Sequence, residues 1–322
     1  MKFKGLYAFL ALTSLLLGCE SNSKLEKEIS KITVQPSFER FDQQFPRLND
    51  DKLKALKTSY PFLFSTKYDD AFWIKKSNDS LEIRLANEVN KTFNQTEVWK
   101  TDVINLFKHI KYFYPNFKSP RVISLVSGVD YRNKTIVTDS IVLLALDNYL
   151  GADHEFYQNI SAYISSSMQK EFVVSDLASS YAKKYASQPS TKTFLEEMIY
   201  RGKLLAFKDK MIPFTADSLK IKYSEEQLNW AVQNESQVWR YFIDKQLLFS
   251  SDTSLLPRFI NPAPFSKFYL DLDNTSPGRI GEFIGWQIVK SFLEKNNEVT
   301  FQNFLAMNAE EIYNKSGYKP KR

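Results

Sequence analysis

The chain has 322 residues, with 43 Lys or Arg against 37 Asp or Glu, a formal net charge of +6. At 43% hydrophobic and 25% charged, with 26 Phe and 17 Tyr, it carries enough apolar material for a sizeable core, which excludes intrinsic disorder. The cations are dispersed, which argues against a nucleic-acid footprint, and two His with one Cys exclude zinc sites built from Cys and His clusters.

Lys2 and Lys4 precede a thirteen-residue apolar stretch, 5–17 (GLYAFLALTSLLL). It is too short for the roughly 20 residues of a membrane-spanning helix and reads as a secretory signal. Leu16, Leu17 and Gly18 then lead into Cys19, in the pattern of a bacterial lipobox. Cleavage after Gly18 would remove 1–18 as a lipoprotein signal peptide and leave Cys19 as an acylated, palmitate-bearing N-terminus. Each buried CH₂ contributes about 0.8 kcal/mol, so a multiply acylated Cys holds a protein stably on a membrane. Residues 19–31 are polar and read as a tether. From 32 to 322 there is no Gly/Ser linker and no repeat, which predicts a single domain. The longest later apolar run is 141–146 (IVLLAL), a core strand by length, so the expectation is a protein anchored to a membrane without spanning it.

Along the domain, Asn49 can cap a helix running to Ser59, which Pro61 stops. Leu81, Leu85, Val89 and Phe93 mark a second helix over 80–93. Thr101 opens a third, with Val103, Leu106, Phe107, Ile110 and Tyr114 at helical spacing before Pro115. Residues 121–127 and 135–146 are β-branched and apolar and read as two strands separated by a turn. Ser224 with Gln227 predicts a capping box and a helix to about 249. Ser276 and Pro277 predict a helix opening that continues to about 294. The class is α+β, a mostly helical domain with a small sheet.

The chain has no nucleophile elbow, phosphate-binding loop or dinucleotide fingerprint. His109, off the apolar stripe of its helix, and His154, in a turn, read as surface residues. Residues 193–207 (TFLEEMIYRGKLLAF) stand apart. Leu195, Met198, Ile199, Gly202 and Leu205 form a buried stripe, and Glu196, Tyr200, Lys203 and Phe207 share a second face. Glu196 to Tyr200 has the frame of H-E-x-x-H, in which two His one turn apart hold zinc and the intervening Glu activates water. Glu197 keeps the general-base position, but Glu196 and Tyr200 stand where the His would be and suit zinc poorly. Spacing alone favours an exposed helix with a Glu197–Arg201 pair, worth a few tenths of a kcal/mol.

Three longer segments add to this: 147–157 (DNYLGADHEFY), 197–207 (EMIYRGKLLAF) and 277–289 (PGRIGEFIGWQIV). With the lipobox and the length, they resemble the gliding motility lipoprotein family GldB of gliding Bacteroidetes, over most of the mature chain. The resemblance implies a zincin-like fold related to zinc peptidases that have lost their ligands. It makes Glu196, Glu197, Tyr200 and, on the Gly-rich helix, Glu282 vestigial metal-site positions, with no metal, no cofactor and no catalytic residue expected. It further implies an envelope lipoprotein facing the periplasm, required for gliding, partnered by gliding or secretion machinery and not by nucleic acid. Gly281 and Gly285, one turn apart, are expected to let their helix pack closely on a neighbour. Three readings follow: a non-catalytic scaffold component; a metal-dependent hydrolase using Glu197 and Glu282; and a lipoprotein holding a peptide or glycan in a cleft lined by Tyr200, Phe207 and Trp286.

Overall fold

A computed structural model describes residues 24–94, 97–190, 193–271 and 273–320. The signal segment and Cys19 lie outside the described residues.

Among the described residues four strands form one mixed sheet: β1 (Ser37–Arg40), β2 (Arg121–Leu125), β3 (Thr135–Val137) and β4 (Ile141–Ala145), in the order β1-β2-β4-β3. β1, β2 and β4 run parallel, with Phe38 beside Val122 and Val122 beside Val142, and β3 closes one edge antiparallel to β4. Joining two parallel neighbours requires a long crossover. Between β1 and β2 it contains α1 (Asp50–Ser59), α2 (Asp70–Ser77), α3 (Ser80–Thr92) and α4 (Glu97–Phe113).

Successive side chains on a strand point to opposite faces, and both faces here are covered. Ile123 and Leu143 face a small cluster containing Phe41, Leu53, Phe64 and Trp73. Val122, Val142 and Leu144 face the main core with α4, α5 (Val173–Tyr185) and α6 (Phe194–Met211). Double coverage explains why β4 reads as an unbroken apolar run. After α6 come α7 (Asp217–Ile221), α8 (Glu225–Gln233), α9 (Glu235–Asp244), α10 (Leu255–Phe259), α11 (Ile280–Lys295), α12 (Phe301–Ala306) and α13 (Ala309–Ser316). Among the described residues no helix is long and apolar enough to cross a membrane.

The α+β class holds, and α1 starts on the Asn49 cap as its sequence predicts. Several local expectations are corrected. The run 135–146 is a hairpin and not one strand, because the Thr138 N–H donates to Ile141 O while its hydroxyl accepts the Ile141 N–H. The capping box at Ser224 and Gln227 is present, but its helix stops at Asn234, whose side-chain amide donates to Trp230 O and competes with the helical ladder. α11 begins at Ile280, not at Ser276. Ser276 instead bonds to Ser266 and Asp273, and Arg279 takes a left-handed φ of 61°. Residues 24–30, expected within a polar tether, are helical, with Ile29 buried and Glu26 and Glu28 meeting His109 and Tyr112 of α4. His109 is therefore buried, not a surface residue.

Candidate functional site

α6 and α11 cross at their glycines. A Cβ on Gly285 would overlap the Met198 carbonyl oxygen, and one on Gly202 would overlap the Gly285 carbonyl. Only backbone-to-backbone contact fits there, so the close approach expected of Gly285 is met, with Gly202 completing it from the other helix. Gly281 is similarly enclosed by Ile260 and the Phe259 carbonyl.

Beside this crossing lies a cleft of about 630 Å³ between the β3 edge, α5, α6, the end of α7 and the start of α11. α6 presents Arg201, Leu204, Leu205 and Lys208 to it, at i, i+3, i+4 and i+7. α5 contributes Asp176 and Lys183, and the chain entering β3 contributes Arg132 and Lys134. Lys220 and Lys222 come from the end of α7, and Arg279 and Glu282 from α11. Cations thus far outnumber the two carboxylates.

The carboxylates are already engaged. Asp176 is buried, pairs with Lys222, lies 3.8 Å from Lys134 and accepts a hydrogen bond of 3.0 Å from the Tyr149 hydroxyl. Burial pushes its pKa up, but Lys222 and Lys134 outweigh this and hold the carboxyl below its ordinary range. Glu282 receives Arg279 at 2.6 Å on one oxygen and faces Arg201 at 3.8 Å on the other. Arg279 also donates to the carbonyls of Ile221 and Lys222, which ties α11 to the end of α7.

The lysines carry the cost of the enclosure. Lys134 is pushed down to about 8 by burial, with Asp176 partly offsetting it. Lys208, donating to Ser175 Oγ at 3.1 Å and Lys220 O at 2.6 Å, is pushed down to about 7 by burial and then by Lys222. Lys220 is better matched, with Asp209 and Asp217 each at 3.0 Å.

The four positions singled out from the sequence are not brought together. Glu196 accepts from the N–H and hydroxyl of Ser190, and the Tyr200 hydroxyl accepts from Gln188 Nε2 at 2.8 Å. Only Glu282 lines the cleft. Glu196, Tyr200, Lys203 and Phe207 do share one face, as their spacing predicts, but that face is not a wall of the cleft. It turns toward α12, where the Lys203 amine donates to Ser187 Oγ and Leu305 O and Phe207 packs on Tyr185 and Phe301. Tyr200, Phe207 and Trp286 do not line the cleft; Trp286 is buried and donates to Asp209. Glu197 is half-buried, and among the described residues its carboxylate makes no hydrogen bond or ion pair. The Glu197–Arg201 pair is therefore not formed, because Arg201 faces Glu282 instead.

Among the described residues no group of three or more His, Cys, Asp or Glu is placed to hold a metal ion. The segment 147–157 has a supporting role. The buried Asp147 carboxylate accepts the N–H groups of Ser127 and Val129, which fixes the chain leaving β2, and Tyr149 reaches Asp176. Sequence reasoning missed the cleft lysines. The available signal was Lys208, a cation at a buried position seven residues after Arg201.

A sequence profile described as gliding motility protein GldB matches residues 22–320. No curated protein and no solved structure matches the chain.

Proposed function

The chain belongs to the gliding motility protein GldB family, and on that premise we propose that it serves the gliding machinery as a lipid-anchored, non-catalytic assembly or scaffold component of the cell envelope. In this reading acylated Cys19 holds it on a membrane, the domain faces the periplasm, and the partners are gliding or secretion proteins.

One observation carries the non-catalytic part. Glu282, the position the resemblance makes a third metal ligand, has a guanidinium against each carboxylate oxygen, Arg279 and Arg201. Two positive side chains there oppose a divalent cation and already neutralise the carboxylate. Glu196 and Tyr200 are turned to Ser190 and Gln188 and offer the cleft nothing.

The test is the metal content of the mature lipoprotein, purified without chelator and measured by mass spectrometry. The reading expects far less than one equivalent of zinc. One tightly held equivalent that is lost in Glu282→Gln would overturn it and restore a metal-dependent hydrolase.

A further inference from the structure

We propose that the cleft between β3, α5, α6 and α11 is a binding site for a small polyanion carrying phosphate groups, received by Arg132, Lys134, Lys183, Arg201 and Lys208. The proposal goes beyond the scaffold reading and does not rest on it.

The cavity comes first. At about 630 Å³ it lies in the size range of small-molecule sites. One part of its wall is apolar, with Tyr163, Ile164, Leu204, Leu205, Ile260 and Pro262, and can hold the organic portion of a ligand.

Charge is the second argument. Lys220 is matched by Asp209 and Asp217, Lys222 by Asp176 and Arg279 by Glu282. Of the five remaining cations, Arg132, Lys183 and Lys208 pair with no carboxylate among the described residues, and Lys134 and Arg201 only share, at 3.8 Å, the carboxylates that Lys222 and Arg279 hold more closely. Lys183 makes no hydrogen bond or ion pair among the described residues, and Arg201 Nε is buried without a partner. Lys134 and Lys208 are nearly fully buried amines. Buried cations are costly unless paired, so the two buried amines, joined by half-buried Arg201 and by Arg132 and Lys183 at the exposed rim, leave a pocket short of negative charge. Burial lowers the pKa of both Lys134 and Lys208, and the nearby carboxylates only partly offset it.

Ligand class follows from charge density. A phosphate group carries about −1.5 to −2 at neutral pH, so two of them on one small molecule match five cations in a volume where single carboxylates do not. The Arg fork also suits phosphate oxygens bidentately. The left-handed Arg279, held by Glu282 and two carbonyls, fixes the cleft's α11 wall with a backbone conformation that is rare for a side chain of this size.

The experiment is calorimetric titration of the full mature lipoprotein in neutral detergent with inorganic pyrophosphate at constant ionic strength. A single saturable site is expected, weakened by about tenfold or more in the double variant Arg132→Gln, Lys183→Gln, the loss of two charge-assisted contacts. Both side chains are exposed and lack ion-pair partners, so the variant should unfold at the wild-type midpoint. Lys54→Gln, on the exposed face of α1, should bind as the wild type does. Dihexanoyl phosphatidic acid is the second probe. Displacement of pyrophosphate by it assigns a lipid headgroup, and failure to displace assigns a soluble phosphate compound. Absence of saturable pyrophosphate binding overturns the proposal, as does binding that the double variant retains in full or that Lys54→Gln weakens equally.

Discussion

Gly285 of α11 lies against the carbonyl oxygen of Met198 on α6 with no room for a side chain between them. This contact sets the distance between the two helices that wall the cleft, because the backbones themselves touch. Gly285→Ala must push α11 outward or distort it. Overpacking of a close contact costs about 1–3 kcal/mol and more where backbone is the obstacle, so a loss near the top of that range is expected. Urea denaturation measures it, and an unchanged midpoint would contradict the crossing. Gly202→Ala, from the opposite helix, should act in the same direction.

Glu39 of β1 is clamped by Arg121 of β2, with Nε and Nη2 each donating to one carboxylate oxygen at 2.9 and 2.8 Å. The Arg121 hydrogen bond holds the Glu39 carboxyl down at about 2 against the opposing effect of burial. Its folded pKa is therefore below its unfolded one, so its stabilisation is complete above about pH 4.5 and is lost as pH falls toward 2. Arg121 is 40% exposed, so solvent screening reduces the contribution to the order of 1 kcal/mol. Acid titration of stability should show this loss in the wild type and a shallower one in Glu39→Gln. Equal acid profiles would contradict the clamp.

How far the sequence carried follows from how each element is exposed. α1 and α3 have one buried stripe and one wet face, so apolar spacing, with the Asn49 cap for α1, locates them well. α6 is buried around most of its circumference, so no polar face sets its phase. That is why Tyr200 and Phe207 were expected in the cleft, whereas α6 lines it with Arg201, Leu204, Leu205 and Lys208. β1 is four residues, SFER, whose strand character exists only beside β2. The β3–β4 turn over 138–140 is Thr-Asp-Ser, a turn signal without Gly or Pro that the apolar run around it masked. The basic cleft was illegible because its cations come from separate elements, and only the fold converges them.

Lys208 gives the cleft a pH signature in the empty protein. Its neighbours there are Lys222 and Arg279, which disfavour its charge, and Asp176 and Glu282, which favour it; burial dominates and sets its pKa at about 7. The unfolded chain keeps the ordinary lysine value of 10.5, so between about pH 7 and 10.5 it binds the proton that the folded protein has released. Stability therefore rises with pH across that window. Lys208→Met reduces the slope, leaving the smaller part due to Lys134 and Lys203, which burial lowers to about 8, although the vacated Lys220 carbonyl and Ser175 hydroxyl lower stability at every pH. Denaturation midpoints at pH 7, 8 and 9 report the difference in slope. A variant as pH-dependent as the wild type would contradict the assignment.

Cys19→Ala should leave the signal unprocessed or release the domain to soluble fractions, with loss of gliding. Fractionation and immunoblotting decide it, and a variant that stays on the membrane at its mature size would contradict the lipobox reading.

Complementation with Glu197→Gln tests the non-catalytic scaffold reading most directly. Glu197 holds the general-base position of the peptidase frame, yet its carboxylate has no hydrogen bond or ion pair among the described residues. The substitution keeps the shape and removes the charge, so folding, envelope localisation and stability should all be unchanged. In a peptidase, loss of the base would remove the chemistry. Expressed in cells lacking the wild-type protein, Glu197→Gln should restore gliding at the wild-type rate. A variant present in the envelope at normal level that leaves cells immobile would contradict the scaffold account.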